Sequence, residues 1–450
     1  MLSRQIRKFQ DTFELFLSNQ ASGGILLILC TIIALIAANL PLTQPIYTLL
    51  HDLPLGIHIG QYTLIKPTYH WVNDGLMAIF FLLAGLEIKR EIMAGELSQF
   101  NKALLPVSAA IGGMIVPALI FISLNSTGIA AKGWAIPMAT DIAFAIGVLS
   151  LLGNRIPRSL IILLTAIAIV DDLGAVTVIA LFYTKKIAAD YLIYAAFSFV
   201  ILLLINLAGI RKLSIYLIIG AILWLFLLKS GIHATVAGVL LAFTIPGKNK
   251  PLPKNFTKLS QNTLDEVKSN ALRNQGQNNE HIKALIHYLE DLIHHAKTPL
   301  QRLEHALHKP VMFIIVPIFV LINAGISFNH LNMKYALTSP LTIGIILGLI
   351  LGKVIGIFGT VFCLVKAKQI KLPQGVQLQH MFALSLLAGI GFTMSIFIAD
   401  LALSNQPTLL NSAKLGILIA SIIAGSLGYF LLRQISKISA RTSAYFYQVN

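Results

Sequence analysis

Apolar stretches of roughly 18 to 22 residues recur along nearly the whole chain, and that recurrence constrains its fold more than any other feature. As helix, each such stretch covers a hydrocarbon core of about 30 Å. Twelve spans are expected, over 21–38, 70–86, 103–124, 129–151, 158–183, 188–208, 213–228, 231–245, 309–326, 341–365, 379–403 and 410–432. Composition agrees: 56% hydrophobic residues and 12% charged, over 450 residues, leave too little polar surface for a soluble protein of this size. The sequence therefore reads as an all-α polytopic membrane protein of about twelve helices.

The formal charge of +16 invites a nucleic-acid reading, but its distribution argues against one. With the N-terminus placed in the cytoplasm, 26 of the 34 Lys and Arg fall in the tails and in or at the edges of cytoplasmic loops, 7 fall in or at the edges of the opposite loops and Lys353 lies mid-span. Discounting the ten in the long 246–309 loop still leaves 16 against 7, so basic charge here is a topology signal. Both termini are expected on the cytoplasmic side of a bacterial inner membrane. Cys30 and Cys363 fall in apolar spans, which offers neither a disulfide framework nor a thiol metal site. Residues 1–20 have helical apolar spacing without a cleavage site and read as an interfacial helix.

The expected organisation is that helix, eight spans over 21–245, a long cytoplasmic loop over 246–308, four spans over 309–434 and a cytoplasmic tail over 435–450. In the loop, HIKALIHYLEDLIHH has apolar residues at helical spacing and predicts an amphipathic helix, and Thr298-Pro299 predicts a cap and first position of the next one. Six of twelve His lie between His281 and His308; they are read as a solvated polar face in preference to a metal site. Between the first two spans, IHIGQYTLI (57–65) alternates about Gly60-Gln61 and predicts a β-hairpin. Its free edge would suit pairing with a second copy, hence an expected homodimer.

Ionised groups cost about 2.5 to 3.5 kcal/mol each at the bilayer centre on insertion scales, so those that occur there carry information. Asp141, Asp171, Asp172 and Lys353 are central in their spans, while Asp74 and Asp400 lie nearer span ends. A purely structural role would balance three central carboxylates with three cations, and only Lys353 is available. Adjacent helix residues are rotated by about 100°, so Asp171 and Asp172 cannot share one partner. One can pair with Lys353 while the other faces a watered cavity with Asp141. Carboxylates around such a cavity can hold a proton or a hard cation through oxygen, in competition.

Helix breakers lie beside the same groups. Pro137 precedes Thr140 and Asp141, and Gly389 and Gly391 weaken the eleventh span at its middle. Two interrupted segments in corresponding places point to a transporter site, with spans three to five and ten to twelve as inverted repeats. Gly344, Gly348, Gly352 and Gly356 add a small-residue strip on the Lys353 helix.

The motifs FFLLAGLEIKREIMAGEL, AIPMATDIAFAIGVLSLLGNRIP, AIAIVDDLGAVTVIALFYT, GIHATVAGVLLAFTIP, RLEHALH, LINAGISF, LGKVIGI and GIGFTMSIFIA, in that order, resemble the NhaA family of bacterial sodium/proton antiporters. The resemblance runs from the first span to about Arg433. It implies an electrogenic, pH-regulated exchange of Na+, and also Li+, for H+ by alternating access, with no cofactor and no enzymatic step. It implies that Asp172 is the main cation and proton site, that Asp141 with Thr140 lines the interrupted helix beside it, and that Asp171 pairs with Lys353. It assigns pH sensing to Glu87, Arg90, Glu91, Arg302, Glu304, His305 and His308, with His233 contributing. Two departures stand out: the loop before RLEHALH is tens of residues longer than in enteric-type members, and Gln301 occupies a place where a Lys is found. The rival expectation is a secondary transporter of an organic anion on a related fold. An intramembrane aspartyl protease lacks its YD and GxGD signatures here.

Overall fold

The computed structural model describes residues 20–59, 62–184, 187–248, 297–328 and 332–449, with isolated positions between 261 and 287. The interfacial helix expected over 1–20, the hairpin turn Gly60-Gln61 and the amphipathic helix over 281–295 lie outside the described residues, apart from Gln20 and His287.

Among the described residues ten helices are long and apolar enough to cross a membrane, or eleven with one bent pair counted as a span. They are α1 (Gln20–Asn39), α3 (Thr68–Ala94), α4 (Phe100–Leu124), a broken segment (Ala130–Ser150) whose second half is α5 (Ile142–Ser150), α6 (Arg158–Phe182), α7 (Ala189–Leu207), α8 (Leu213–Ser230), α10 (Pro299–Asn323), α11 (Pro340–Lys366), the bent pair α12 (Leu378–Leu387) and α13 (Phe392–Leu403), and α14 (Pro407–Val449). The lateral helix α2 (Gln44–Asp52) follows α1 and is fixed by Tyr47, whose phenol donates to the Leu321 and Ile322 carbonyls at 3.0 and 2.9 Å. Burial pushes that phenol up to about 12.

The eighth expected span, 231–245, differs from expectation. Its helix, α9, covers only Val236–Thr244, nine residues or about 13.5 Å, too short to cross alone. Gly231 ends α8 in the left-handed region at φ 89° and Pro246 follows α9; of the residues between them, 232–235 are non-helical and Ile245 is extended, which leaves Val236–Thr244 as helix. The segment still returns to the side on which α8 begins. Ala188 N donates to Ser230 O at one end, and Arg211 Nη2 donates to Lys248 O at the other. The non-helical residues 231–234 line a cavity, one of the settings in which irregular backbone at membrane depth is tolerated.

The ninth expected span, 309–326, also begins earlier, at Pro299. Thr298 and Gln301 form a reciprocal capping box there, and a π-turn over Val311–Ile315 carries the helix past Pro310. The expected hairpin is present: β1 (Pro54–Ile59) pairs antiparallel with β2 (Tyr62–Pro67), closing at Ile59 and Tyr62.

Two helix–broken helix–helix units, α4 to α6 and α11 to α14, pack on each other. The glycine strip brings α11 onto α4: a Cβ at Gly352 would meet Pro117 Cα at 2.7 Å, and Gly356 lies directly against the Gly112 carbonyl. Pi-turns over Gly348–Gly352 and Val354–Phe358 flank Lys353, rotating this stretch relative to a regular α-helix.

Candidate functional site

The two breaks meet. The first lies at Ala139–Asp141, between a 3-10 helix (Ala130–Met138) and α5; the second lies between Leu387 and Phe392, where the axis bends by 46°. Asp141 N donates to Ile390 O at 2.7 Å, Thr140 Oγ1 to Ala388 O at 2.8 Å and Ser395 Oγ to Ile136 O at 2.8 Å. Each break thus satisfies backbone groups that the other leaves open, which is what a non-helical backbone needs away from water.

Asp141 joins two helix N-termini. Its Oδ1 accepts from Phe144 N at 2.9 Å, capping α5, and its Oδ2 accepts from Thr393 N at 3.0 Å and Thr393 Oγ1 at 2.5 Å, at the start of α13. A carboxylate is favoured there because both helix ends present free N–H groups and positive dipole ends. Its oxygens are turned to those caps, and among the described residues no hydrogen bond joins Asp141 to Asp172.

The adjacent pair on α6 splits as the helix rotation requires. Asp171 Oδ2 lies 2.5 Å from Lys353 Nζ and also accepts from Thr140 Oγ1 at 2.9 Å. The side chains of both ion-pair partners are 0% exposed, so the pair is wholly inside the protein. Asp172 is buried as well, and its Oδ1 has no hydrogen-bond partner among the described residues. The structure therefore brings together Thr140, Asp141, Asp171 and Lys353 through direct contacts. It sets Asp172 beside them with an unsatisfied oxygen. Thr393 belongs to this centre and was not singled out from the sequence; its position two residues after Gly391, in GIGFTMSIF, was the available signal.

Of the residues assigned to pH sensing, five form a cluster at the facing ends of α3 and α10. Arg90 Nε is 2.9 Å from Glu304 Oε1 and its Nη2 is 3.1 Å from Glu91 Oε1, while His308 Nδ1 is 3.8 Å from Glu87 Oε1. Glu91 Oε2 also accepts from Glu96 N at 3.0 Å. Arg302 and His305 lie on the same α10 turns but make no ion pair among the described residues. His233 is elsewhere: its Nε2 is 3.7 Å from Asp74 Oδ1, and 13 residues of α3, about 20 Å, separate Asp74 from Glu87. Gln301, the departure noted in the sequence, serves the capping box of α10.

A cavity of about 410 Å³ opens at the Asp74 end, opposite the Glu87–His308 cluster. Asp74 is held there by Lys66 at 3.1 Å, and Asp400 by Lys414 at 3.1 Å. A reciprocal amide pair, Asn73 with Asn323, lies in its wall.

Comparison with known proteins gives a consistent result. The family model described as Na+/H+ antiporter 1 matches residues 14–432. The chain is 45% identical to Na(+)/H(+) antiporter NhaA 1 of Saccharophagus degradans, over 97% of this chain and 94% of that one. It is 46% identical to Na(+)/H(+) antiporter NhaA of Sulfurimonas denitrificans, over 96% and 98%. It is 44% identical to Na(+)/H(+) antiporter NhaA of Salmonella arizonae, over 93% and 97%.

Proposed function

The chain belongs to the Na+/H+ antiporter 1 family, and from that premise we propose that the crossing of its two broken helices is an electrogenic exchange site for Na+ and protons. The observation that carries this reading is Asp172, buried at the centre with an unsatisfied oxygen beside the Asp171–Lys353 pair. A lone carboxylate in such a place is stable when it holds a proton or a cation, and unstable when it holds neither. Na+ and H+ therefore compete for Asp172. Asp171 and Lys353 form a second protonatable unit, and one proton from each unit against one Na+ moves net charge across the membrane. Asp141 keeps both helix N-termini satisfied and positions Thr140 next to Asp171.

Alternating access comes from movement of the two broken-helix units against the remaining helices. The protein works as a transporter in the bacterial inner membrane, both termini cytoplasmic, using the inward proton gradient to expel Na+ and also Li+. The Glu87–Arg90–Glu91–Glu304–His308 cluster then faces the cytoplasm and tunes activity through its ion pairs. The hairpin edge joins two copies in a homodimer. Carboxylates at the crossing favour a cation over the organic anion of the rival expectation.

The test is proton efflux from acidified proteoliposomes, followed with a pH-sensitive dye. NaCl and LiCl should each drive efflux, and dissipating the membrane potential with a potassium ionophore should change the rate. Efflux driven by organic anions and indifferent to Na+ would contradict the proposal.

A further inference from the structure

Three groups on α13 lie at i, i+4 and i+7, one face of the helix. Thr393 holds Asp141 at the crossing. Phe397 is fully buried and packs its ring on His233, Phe81 and Phe319, with centroids 5.4, 5.6 and 6.1 Å away. Asp400 stands in the wall of the 410 Å³ cavity. In order along one face, this helix presents a contact to Asp141, a buried aromatic ring and a carboxylate in the cavity wall.

The outer carboxylate is not fully used. Asp400 Oδ1 is 3.1 Å from Lys414 Nζ on α14, with side chains 12% and 8% exposed, so water screens the pair little. Its Oδ2 is buried and has no hydrogen-bond partner among the described residues. A pair kept only to lock α13 to α14 would be more stable with that oxygen satisfied. The cavity also carries Asp52, with His51 Nδ1 at 2.7 Å, and Asp74, with Lys66, His70 and His233 at 3.1, 3.9 and 3.7 Å. Three carboxylates against two lysines give its walls a negative balance when the histidines are neutral, which favours a cation.

We propose that Asp400 is a relay site for the transported cation in this cavity: Na+ that passes Phe397 is received by the Asp400 carboxylate while the Lys414 ammonium gives way. The inference rests on the exchange reading and the orientation given above. Lys414 pairs with one oxygen of Asp400 as Lys353 pairs with one oxygen of Asp171, and in both pairs the second carboxylate oxygen has no hydrogen-bond partner among the described residues.

The experiment compares right-side-out with everted membrane vesicles, which present the cavity face and the Glu87 face respectively. Asp400→Asn should raise the Na+ KM at the cavity face by about three- to tenfold while leaving the KM at the Glu87 face unchanged, and Asp400→Glu should restore it. A structural lock would not distinguish the faces. Equal changes on both faces, or none on either, would overturn the relay. Should Asp400→Asn fail to insert beside a buried lysine, Asp400→Asn with Lys414→Met removes both charges and is read the same way. Failure of the exchange reading is distinguishable, because wild-type vesicles would then show no Na+-dependent proton flux on either face.

Discussion

Lys353 has no exposure to solvent and, among the described residues, one ion-pair partner, so its cost and its use are tied to Asp171. Removing one member of a buried pair leaves the other uncompensated, at about 3 to 5 kcal/mol, whereas removing both is far milder. Lys353→Met should therefore lower the detergent melting temperature more than Lys353→Met combined with Asp171→Asn. Equal losses would mean that the pair is not coupled. At this scale the sequence was informative where charge was out of place: Asp141, Asp171, Asp172 and Lys353 stood out because ions are expensive in an apolar run. Which aspartate of the pair meets Lys353 depends on the rotation of α6 in the bundle, and no local pattern encodes that; only the resemblance supplied it. Thr393 was illegible for another reason. A threonine in an apolar helix usually bonds its own preceding turn, as Thr31 does to Leu27 O, and nothing nearby says that this one turns to Asp141 instead.

Between α4 and α11 the contact leaves no room for side chains, and this can be tested against a matched control. Gly352→Ala should cost about 1 to 3 kcal/mol by overpacking against Pro117, while Gly359→Ala, whose Cβ would meet nothing within 4 Å, should be neutral or stabilising by about 0.5 to 1 kcal/mol. Thermal unfolding of both variants in detergent checks the contrast, and a destabilised Gly359→Ala would contradict it. Thr298→Ala should cost about 1 kcal/mol by removing the cap of α10. The elements themselves were mostly legible, because apolar length marks a span and Thr298-Pro299 marks a helix start. The segment 231–245 was the exception. It is apolar enough to read as a span, but only the nine residues Val236–Thr244 are helical, because the backbone before them lines a cavity wall that a one-dimensional pattern does not contain.

At the scale of the whole molecule, the proposed dimer rests on the hairpin. The hairpin is the one sheet among the described residues, and its pairing of Pro54–Ile59 with Tyr62–Pro67 still leaves outer edges free. Deleting residues 57–65 should convert a dimer to monomer on native gels; an unchanged dimer would remove the hairpin from that role. The bias of basic residues toward alternate loops supports an orientation, whereas the meeting of two breaks 250 residues apart was only an inference from their chemistry. It became visible through contacts such as Thr393 to Asp141. The central claim is that one buried carboxylate, Asp172, holds either Na+ or a proton. Calorimetric titration of purified protein with NaCl, in two buffers of different ionisation heat, counts the protons released per Na+ bound. Net proton release that vanishes together with Na+ binding in Asp172→Asn is the predicted result. Na+ binding that releases no protons, or that survives in Asp172→Asn, would contradict the account.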